Sequence, residues 1–219
     1  IKQIKNFKDF NGNYIIFAIK DDFIKAVAKD LSKEIEGQGL AIHTSGIYNE
    51  KILKPLKEKG WDIGKCHPIY TFPPKEAPIP RGLVYGVQGD LKALKKIKDF
   101  IRIFKGRPFK IPKGKEEIYH LALSIGSNFS SYFFYISKKM FKENFKGKID
   151  LSKIFHQTVE NILKYEKSGI TGPHIRGDRK TIKKHLKIIK EKYPEFLKVY
   201  SYLSKNIYGL NSLQGIIKE

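Results

Sequence analysis

Hydrophobic positions along this chain change period once, and the change divides it. Tyr14-Ile15-Ile16-Phe17-Ala18-Ile19 is an unbroken apolar run, the pattern of a strand buried on both faces. Phe23, Ile24, Val27, Ala28 and Leu31 then recur at helical spacing, with Asp21 or Asp22 placed to cap the helix. Gly37 and Gly39 break that pattern before a second apolar run, Leu40-Ala41-Ile42-His43. An amphipathic helix is expected over residues 49–59, ending at Gly60, and a third strand over 61–66. Residues 68–80 are too proline-rich for regular structure. A strand over 83–87, a helix over 90–104 capped by Asp90 and a short strand over 108–111 follow. Alternating strands and helices imply right-handed crossovers and a parallel sheet. Beyond Pro112 only the helical period remains, over 115–143, 151–167, 178–192 and a stretch after Pro194. The expected fold class is therefore α/β over residues 1–112, followed by an all-helical domain over 113–219.

Composition removes several classes. At 41% hydrophobic and 13% aromatic residues the chain is globular rather than disordered. A single cysteine, Cys66, rules out an internal disulfide framework and suits the cytoplasm. Ile1 opens a basic amphipathic stretch rather than a secretory signal, and its not being methionine suggests a segment upstream. Residues 118–137 carry no formal charge over about the length of a membrane span. They include His120, Ser124, Ser127, Asn128, Ser130, Ser131 and Ser137, so a helix buried inside protein is expected and no membrane partner. The net charge of +21 raises nucleic acid as a partner, but arginine supplies only Arg81, Arg102, Arg107, Arg176 and Arg179 of 43 basic residues. Base readout favours the arginine fork, and the lysines are scattered over almost every segment. A solvated lysine surface with no specific nucleic-acid partner is expected.

If the first three strands are parallel, their carboxyl ends share one edge, where open α/β sheets bind ligands. That edge receives Lys20-Asp21-Asp22, His43-Thr44-Ser45-Gly46 and His67-Pro68-Ile69-Tyr70-Thr71-Phe72. Thr44 and Ser45 can equally be helix caps, and His43 and His67 structural imidazoles, so both readings stay open. On the long helix, His120, Ser124, Ser127, Asn128 and Ser131 fall within an arc of roughly 100°. A polar stripe on a helix apolar elsewhere needs partners, because a buried unsatisfied polar group costs about 1–3 kcal/mol. Serines can bond back to their own helix; a cleft facing the strand ends is the expected alternative. The loop over 169–178 brings Thr171, Gly172, His174 and Arg176 together, and Arg176 is a candidate clamp for an anionic group. Cys66 and His67 as direct neighbours make a poor start to a zinc site, so no metal is expected. Nothing in the context of Cys66 marks it as a nucleophile.

Five stretches in this order carry a family resemblance: Phe17 to Asp22, His43 to Gly46, His67 to Phe72, Tyr119-His120 with Ser127-Asn128, and Thr171-Gly172-Pro173 with Arg176-Gly177-Asp178. They resemble a bacterial group of Rossmann-like proteins whose C-terminal half is a helical domain of unknown function. That group is similar to pyrroline-5-carboxylate reductase, ketopantoate reductase and the β-hydroxyacid dehydrogenases. The resemblance covers essentially the whole chain. It implies an NADP- or NAD-binding domain followed by a helical substrate and dimerisation domain, hence a homodimer. It implies that Ala18, Ile19, Asp21, Thr44, Ser45 and Gly46 line the nicotinamide side of the cleft. His67, His120 and Asn128 are the implied catalytic residues facing a small-molecule substrate. Tyr119, Ser124, Ser127, Thr171, Gly172 and Arg176 are the implied substrate contacts. The related dehydrogenases carry a lysine and an asparagine on the long helix; Asn128 matches, and His120 or Lys115 would supply the proton.

The family begins with a strand, a Gly-x-Gly-x-x-Gly turn and a helix, and this sequence is expected to be truncated with respect to that unit. Gly37-Gln38-Gly39 precedes a strand rather than following one, so it cannot replace it. Without the turn a pyrophosphate loses its cradle of backbone N–H groups. A chain carrying the unit is expected to bind NADPH or NADH at least tenfold more tightly, a difference of about 1.4 kcal/mol. The expected function is hydride transfer to or from a small carbonyl, imine or hydroxy acid. The alternative is a non-catalytic dimeric ligand-binding or regulatory protein on the same scaffold.

Overall fold

The computed structural model describes residues 12–74, 77–147 and 149–207, so the stretch opening at Ile1 lies outside the described residues. Two compact units make up the chain, residues 1–135 and 136–219. The first holds five strands side by side: β1 (Tyr14–Phe17), β2 (Leu40–His43), β3 (Asp62–Pro68), β4 (Val84–Gly89) and β5 (Arg107–Lys110). β1, β2 and β3 are parallel, β4 runs antiparallel to β3, and β5 is parallel to β4. The sheet is thus mostly parallel, with one reversal that the strand–helix alternation does not predict. Its cause is the proline-rich segment after β3. A parallel return needs a crossover element, and the described residues of that segment form none, so the chain comes back antiparallel.

Strand parity sorts the core into two layers. Phe17, Ala41 and Ile63 pack against Ile24, Ala28 and Leu31 of α1 (Asp21–Glu34), and against Leu53 and Leu56 at α2 (Lys54–Lys57). On the other face Leu40, Ile42, Cys66 and Val87 meet Ala93, Ile97 and Ile101 of α3 (Leu91–Arg102). Each fully buried aliphatic side chain of this kind contributes roughly 1.5–3 kcal/mol. Asp90 caps α3 by accepting from the Ala93 N–H at 2.9 Å. Asp21 and Asp22 do not cap α1; they lie inside its first turn, where their charge suits the helix N-terminus. The helix expected over 49–59 is a 3-10 turn (Glu50–Leu53) followed by the single turn of α2. Pro55 explains the break, since its ring would clash with the carbonyl four residues earlier in a continuous α-helix.

After β5 every regular element among the described residues is helical. α4 (Glu116–Ser124) and α5 (Ser130–Asn144) are joined through a π turn, Ile125–Phe129. The switch in secondary structure falls near Pro112, whereas the compact units part after Tyr135, because α4 packs on the sheet. The expectation that residues 118–137 are buried does not hold within the chain. Ile118, Leu121, Ile125, Phe129, Tyr132 and Tyr135 are all exposed, since only one side of α4 meets the sheet. No helix among the described residues is long and apolar enough to cross a membrane.

The second unit contains α6 (Ser152–Tyr165), α7 (Pro173–Arg176), α8 (Arg179–Lys192) and α9 (Leu197–Asn206). Ile182 of α8 anchors a small apolar cluster with Leu186 and Ile207. Polar pairs join its elements: His185 Nδ1 lies 2.8 Å from the Tyr200 hydroxyl, and His174 Nε2 lies 3.0 Å from Ser204 Oγ.

Candidate active site

The parity that turns Ala41 and Ile63 toward α1 and α2 continues to the carboxyl ends of the strands, where the same face holds His43, Lys65 and His67. His43 is the register partner of Lys65, and Lys65 of Gln88, giving a polar row across β2, β3 and β4. All three are buried. α4 brings Glu116, Tyr119 and His120 over this region on one helical face. Gln88 Nε2 donates to the Glu116 carboxylate at 2.6 Å, and the Gly114 N–H donates to it at 3.2 Å. Burial pushes the Glu116 carboxyl up, but these bonds outweigh it and hold its pKa below the ordinary carboxylate value.

The Tyr119 hydroxyl lies 2.7 Å from His67 Nδ1. Burial, reinforced by the nearby Lys65 charge, lowers the His67 pKa to about 4, and burial raises that of Tyr119 to about 12. A phenol is the stronger donor and a neutral imidazole the stronger acceptor, so the hydrogen bond runs from Tyr119 to Nδ1. Nε2 then carries the ring proton. That atom faces Gly46: a Cβ added there would stand 3.1 Å from it and 3.0 Å from His120 Nε2, and would overlap the His120 ring. The two imidazoles, 6.3 Å apart between centroids, therefore converge on one point of backbone that admits no side chain. Gly86 does the same for Tyr119, whose hydroxyl occupies the place of the missing Cβ.

Lys65 lies beneath this cluster with no exposed surface. Its Nζ donates to the Gly46 carbonyl at 2.6 Å and sits 5.4 Å from the centre of the Tyr119 ring. Burial lowers its pKa to about 8, against partial support from the charges of Glu116, Asp21 and Glu50. His43, equally buried, hydrogen-bonds the Asn49 carbonyl through Nε2 at 3.0 Å.

The other expected site residues are more dispersed. Ala18 and Ile19 are exposed after β1, and Asp21 is half-buried at the start of α1. Thr44 Oγ1 donates to the Phe17 carbonyl at 3.3 Å, and Ser45 Oγ accepts from the Ile47 and Tyr48 N–H groups, each at 3.3 Å. The Ser45 hydroxyl thus shapes its own turn, and the Thr44 hydroxyl ties that turn to the end of β1. Ser124 is half-buried; Ser127 bonds back to the Leu123 carbonyl at 2.9 Å and to Asn128 Oδ1 at 3.0 Å, while Asn128 and Ser131 are exposed. The π turn interrupts the regular spacing that put these residues on one stripe with His120. In the second unit Thr171 is exposed, Gly172 precedes α7, and Arg176 gives two N–H bonds to Asp178 Oδ2 at 3.0 and 2.7 Å. A shallow cavity of about 400 Å³ lies in the loop after β3, lined by Tyr70, Phe72, Pro73, Pro74, Pro78 and Ile79, and does not include the histidines. Cys66 is buried, with its thiol pushed up to about 12, and is inert as a nucleophile. Lys65, Gln88 and Glu116 escaped the reading of the sequence, although a lysine sharing parity with Ile63 and His67 in a buried strand was a visible signal.

For a nicotinamide dinucleotide the described residues supply part of a site. The exposed backbone at Ala18 and Ile19 adjoins the Thr44–Gly46 turn, and together they suit a flat ring beside the histidines. They offer no phosphate cradle: β1 meets α1 through Ala18-Ile19-Lys20, and Asp21 and Asp22 would repel an anion at that helix end.

A protein-family profile described as Domain of unknown function (DUF2520) matches residues 83–207. No curated protein matches the sequence. Among solved structures, the chain is similar to a Bacteroides fragilis protein provisionally named an NADP oxidoreductase, with a TM-score of 0.79 at 17% identity over 94% of this chain and 79% of that one. It is similar to protein TM1727 from Thermotoga maritima, with a TM-score of 0.65 at 25% identity over 92% and 78%. An imine reductase from Bacillus cereus gives 0.57 at 12% identity over 95% and 80%. These likenesses are of fold, a Rossmann-like sheet followed by a helical region.

Proposed function

The chain belongs to the DUF2520 family, and from that premise we propose that it acts as an NAD(P)-dependent oxidoreductase on a small carbonyl, imine or hydroxy-acid substrate. The observation that carries this reading is the convergence of His67 and His120 on Gly46 at the carboxyl edge of the parallel strands. Open α/β sheets bind ligands there, and a reductase needs a proton donor beside the reacting carbon. The nicotinamide, when bound, supplies the hydride. His67 is held by Tyr119 with Nε2–H directed toward the turn, and His120 brings a second imidazole to the same place. His120 can hand a proton to a carbonyl oxygen or imine nitrogen standing beside this turn, and His67, held neutral, can polarise the same atom through its Nε2–H. Asn128, Ser124 and Ser127 are proposed to orient the substrate from the long helix. The exposed apolar flank of α4 and α5 supports a homodimer.

The test is calorimetric titration of the protein expressed from its own gene with NADPH and NADH, followed by turnover of small imines, ketones and hydroxy acids. Cofactor should bind, and His67→Gln and His120→Gln should each lower turnover by at least about tenfold, within the range of general acid catalysis. Absence of binding to either cofactor would overturn the reading. A non-catalytic ligand-binding protein is favoured by one observation, the engagement of the Thr44 and Ser45 hydroxyls with the backbone of β1 and of their own turn. Cofactor binding without turnover of any substrate would select it.

A further inference from the structure

A lysine ammonium with no exposed surface is an expensive thing to place in a sheet. Its single strong acceptor is the Gly46 carbonyl at 2.6 Å, and no carboxylate among the described residues forms an ion pair with it. A leucine or methionine would fill the same volume without the desolvation cost of a buried charge. Packing therefore does not explain Lys65. Its position does: it stands in the row His43–Lys65–Gln88, one register step below His67, directly under the turn on which both imidazoles converge.

We propose that Lys65 is a positioning residue of this site: its ammonium ties the Gly46 carbonyl to the middle of the sheet and fixes the height of the Thr44–Gly46 turn beneath His67 and His120. The clearance at Gly46 shows how narrow the tolerance is, since the gap to the His120 ring has no room even for one added carbon. A turn released from Lys65 would rise into that ring or sink away from it. The same charge also acts on His67 through space. It adds to burial, the larger cause, in disfavouring a positive charge on the imidazole, so that His67 keeps accepting from Tyr119 with the proton on Nε2. The groups around Lys65 are His43 on β2, Gln88 on β4, and Glu116 and Tyr119 on α4, with Asp21 and Glu50 acting from further off. The proposal rests on the oxidoreductase reading only in treating this edge as the working site.

Two variants of the whole protein separate the two actions. Lys65→Met keeps length and burial and removes both the donor and the charge; Lys65→Gln keeps a donor without the charge. Histidine-labelled samples give the titration of each of the six imidazoles by NMR, and amide spectra report on Ser45 and Gly46. In Lys65→Met the His67 pKa should rise from about 4 toward, without reaching, the ordinary 6.5, because burial persists. The Gly46 amide should move in Lys65→Met and move less in Lys65→Gln, while the His67 rise should appear in both. NADPH affinity should fall at least threefold in Lys65→Met. An unchanged His67 titration together with an unmoved Gly46 amide would overturn the proposal. So would failure of both variants to fold, because Lys65 would then be a structural element of the sheet. Failure of the parent protein to bind NADPH sinks the oxidoreductase reading instead and leaves the NMR outcomes to decide this one.

Discussion

His43 donates from Nε2 to the Asn49 carbonyl, and its buried Nδ1 has no hydrogen-bond partner. Burial first, then the Lys65 charge, hold its pKa at about 4 against the ordinary 6.5, with the Asn49 bond opposing them. Below pH 6.5 the unfolded chain takes up a proton that the folded chain refuses until about pH 4. Stability from this residue is complete above pH 6.5 and is lost as pH falls toward 4, by on the order of 3 kcal/mol. His43→Gln retains a donor for Asn49 without a titrating group, so urea unfolding at pH 7 and 4.5 should show a shallower acid decline in the variant. Equal declines would place the acid sensitivity elsewhere. Lys65 gives the alkaline counterpart. Its charge is a cost present below about pH 8 in the folded state, and the unfolded chain keeps its proton up to about 10.5. Stability should therefore rise between those values in the parent and not in Lys65→Met. Gly46→Ala puts a methyl group into the His120 ring and should destabilise by about 1–3 kcal/mol in urea unfolding, with displaced His120 resonances.

At the scale of elements, α3 is the case where local sequence and structure agree at every step. Ala93, Ile97 and Ile101 recur on one face, Asp90 caps the first turn, and the buried residues are those the spacing selects. Asp90→Ala should cost about 1 kcal/mol in urea unfolding, the usual value of an N-cap, with Lys57 losing an exposed partner of little weight. A loss below a few tenths would show that α3 is held by packing alone. The long helix is the contrary case. Its period predicts one helix, and one is formed, but the π turn at Ile125–Phe129 shifts everything after it relative to His120. A spacing argument carried across residues 115–143 assumes 3.6 residues per turn throughout, and here the assumption fails in the middle. His120 lies before the turn and meets the strand ends, whereas Asn128 lies within it and is exposed.

Over the whole molecule, two surfaces lead to predictions. Ile118, Leu121, Ile125, Phe129, Tyr132 and Tyr135 leave an apolar flank open to water. A homodimer would cover it, so sedimentation velocity should give twice the chain mass, and Phe129→Glu should shift the species toward the monomer. A monomer at every concentration would contradict the dimer. The net charge of +21 sits on lysines spread over both units. Binding to duplex DNA should therefore fall steeply with salt and show no preference among sequences, as measured by fluorescence anisotropy. A preference that survives high salt would mean that a specific nucleic-acid site exists.

The sequence alone determined the order of elements, the helical second half and the residues arriving at the carboxyl edge. These follow from periodicity, from proline and glycine positions and from strand parity, all of which are local. His67, Tyr119, His120 and Gly46 could be named from it singly, but not as a cluster, because the 2.7 Å bond between His67 and Tyr119 joins positions separated by 52 residues. Only the tertiary structure decided that β4 turns back against β3, because strand direction depends on how the chain crosses between strands. Only it decided that the Thr44 hydroxyl bonds to the end of β1, that the Ser45 hydroxyl closes its own turn, and that Arg176 is bound to Asp178. Lys65 marks the limit most clearly. Its residue type reads as surface, and its burial and its bond to Gly46 exist because three strands and a helix enclose it. Enclosure is a property of packed elements, and no stretch of the sequence carries it by itself.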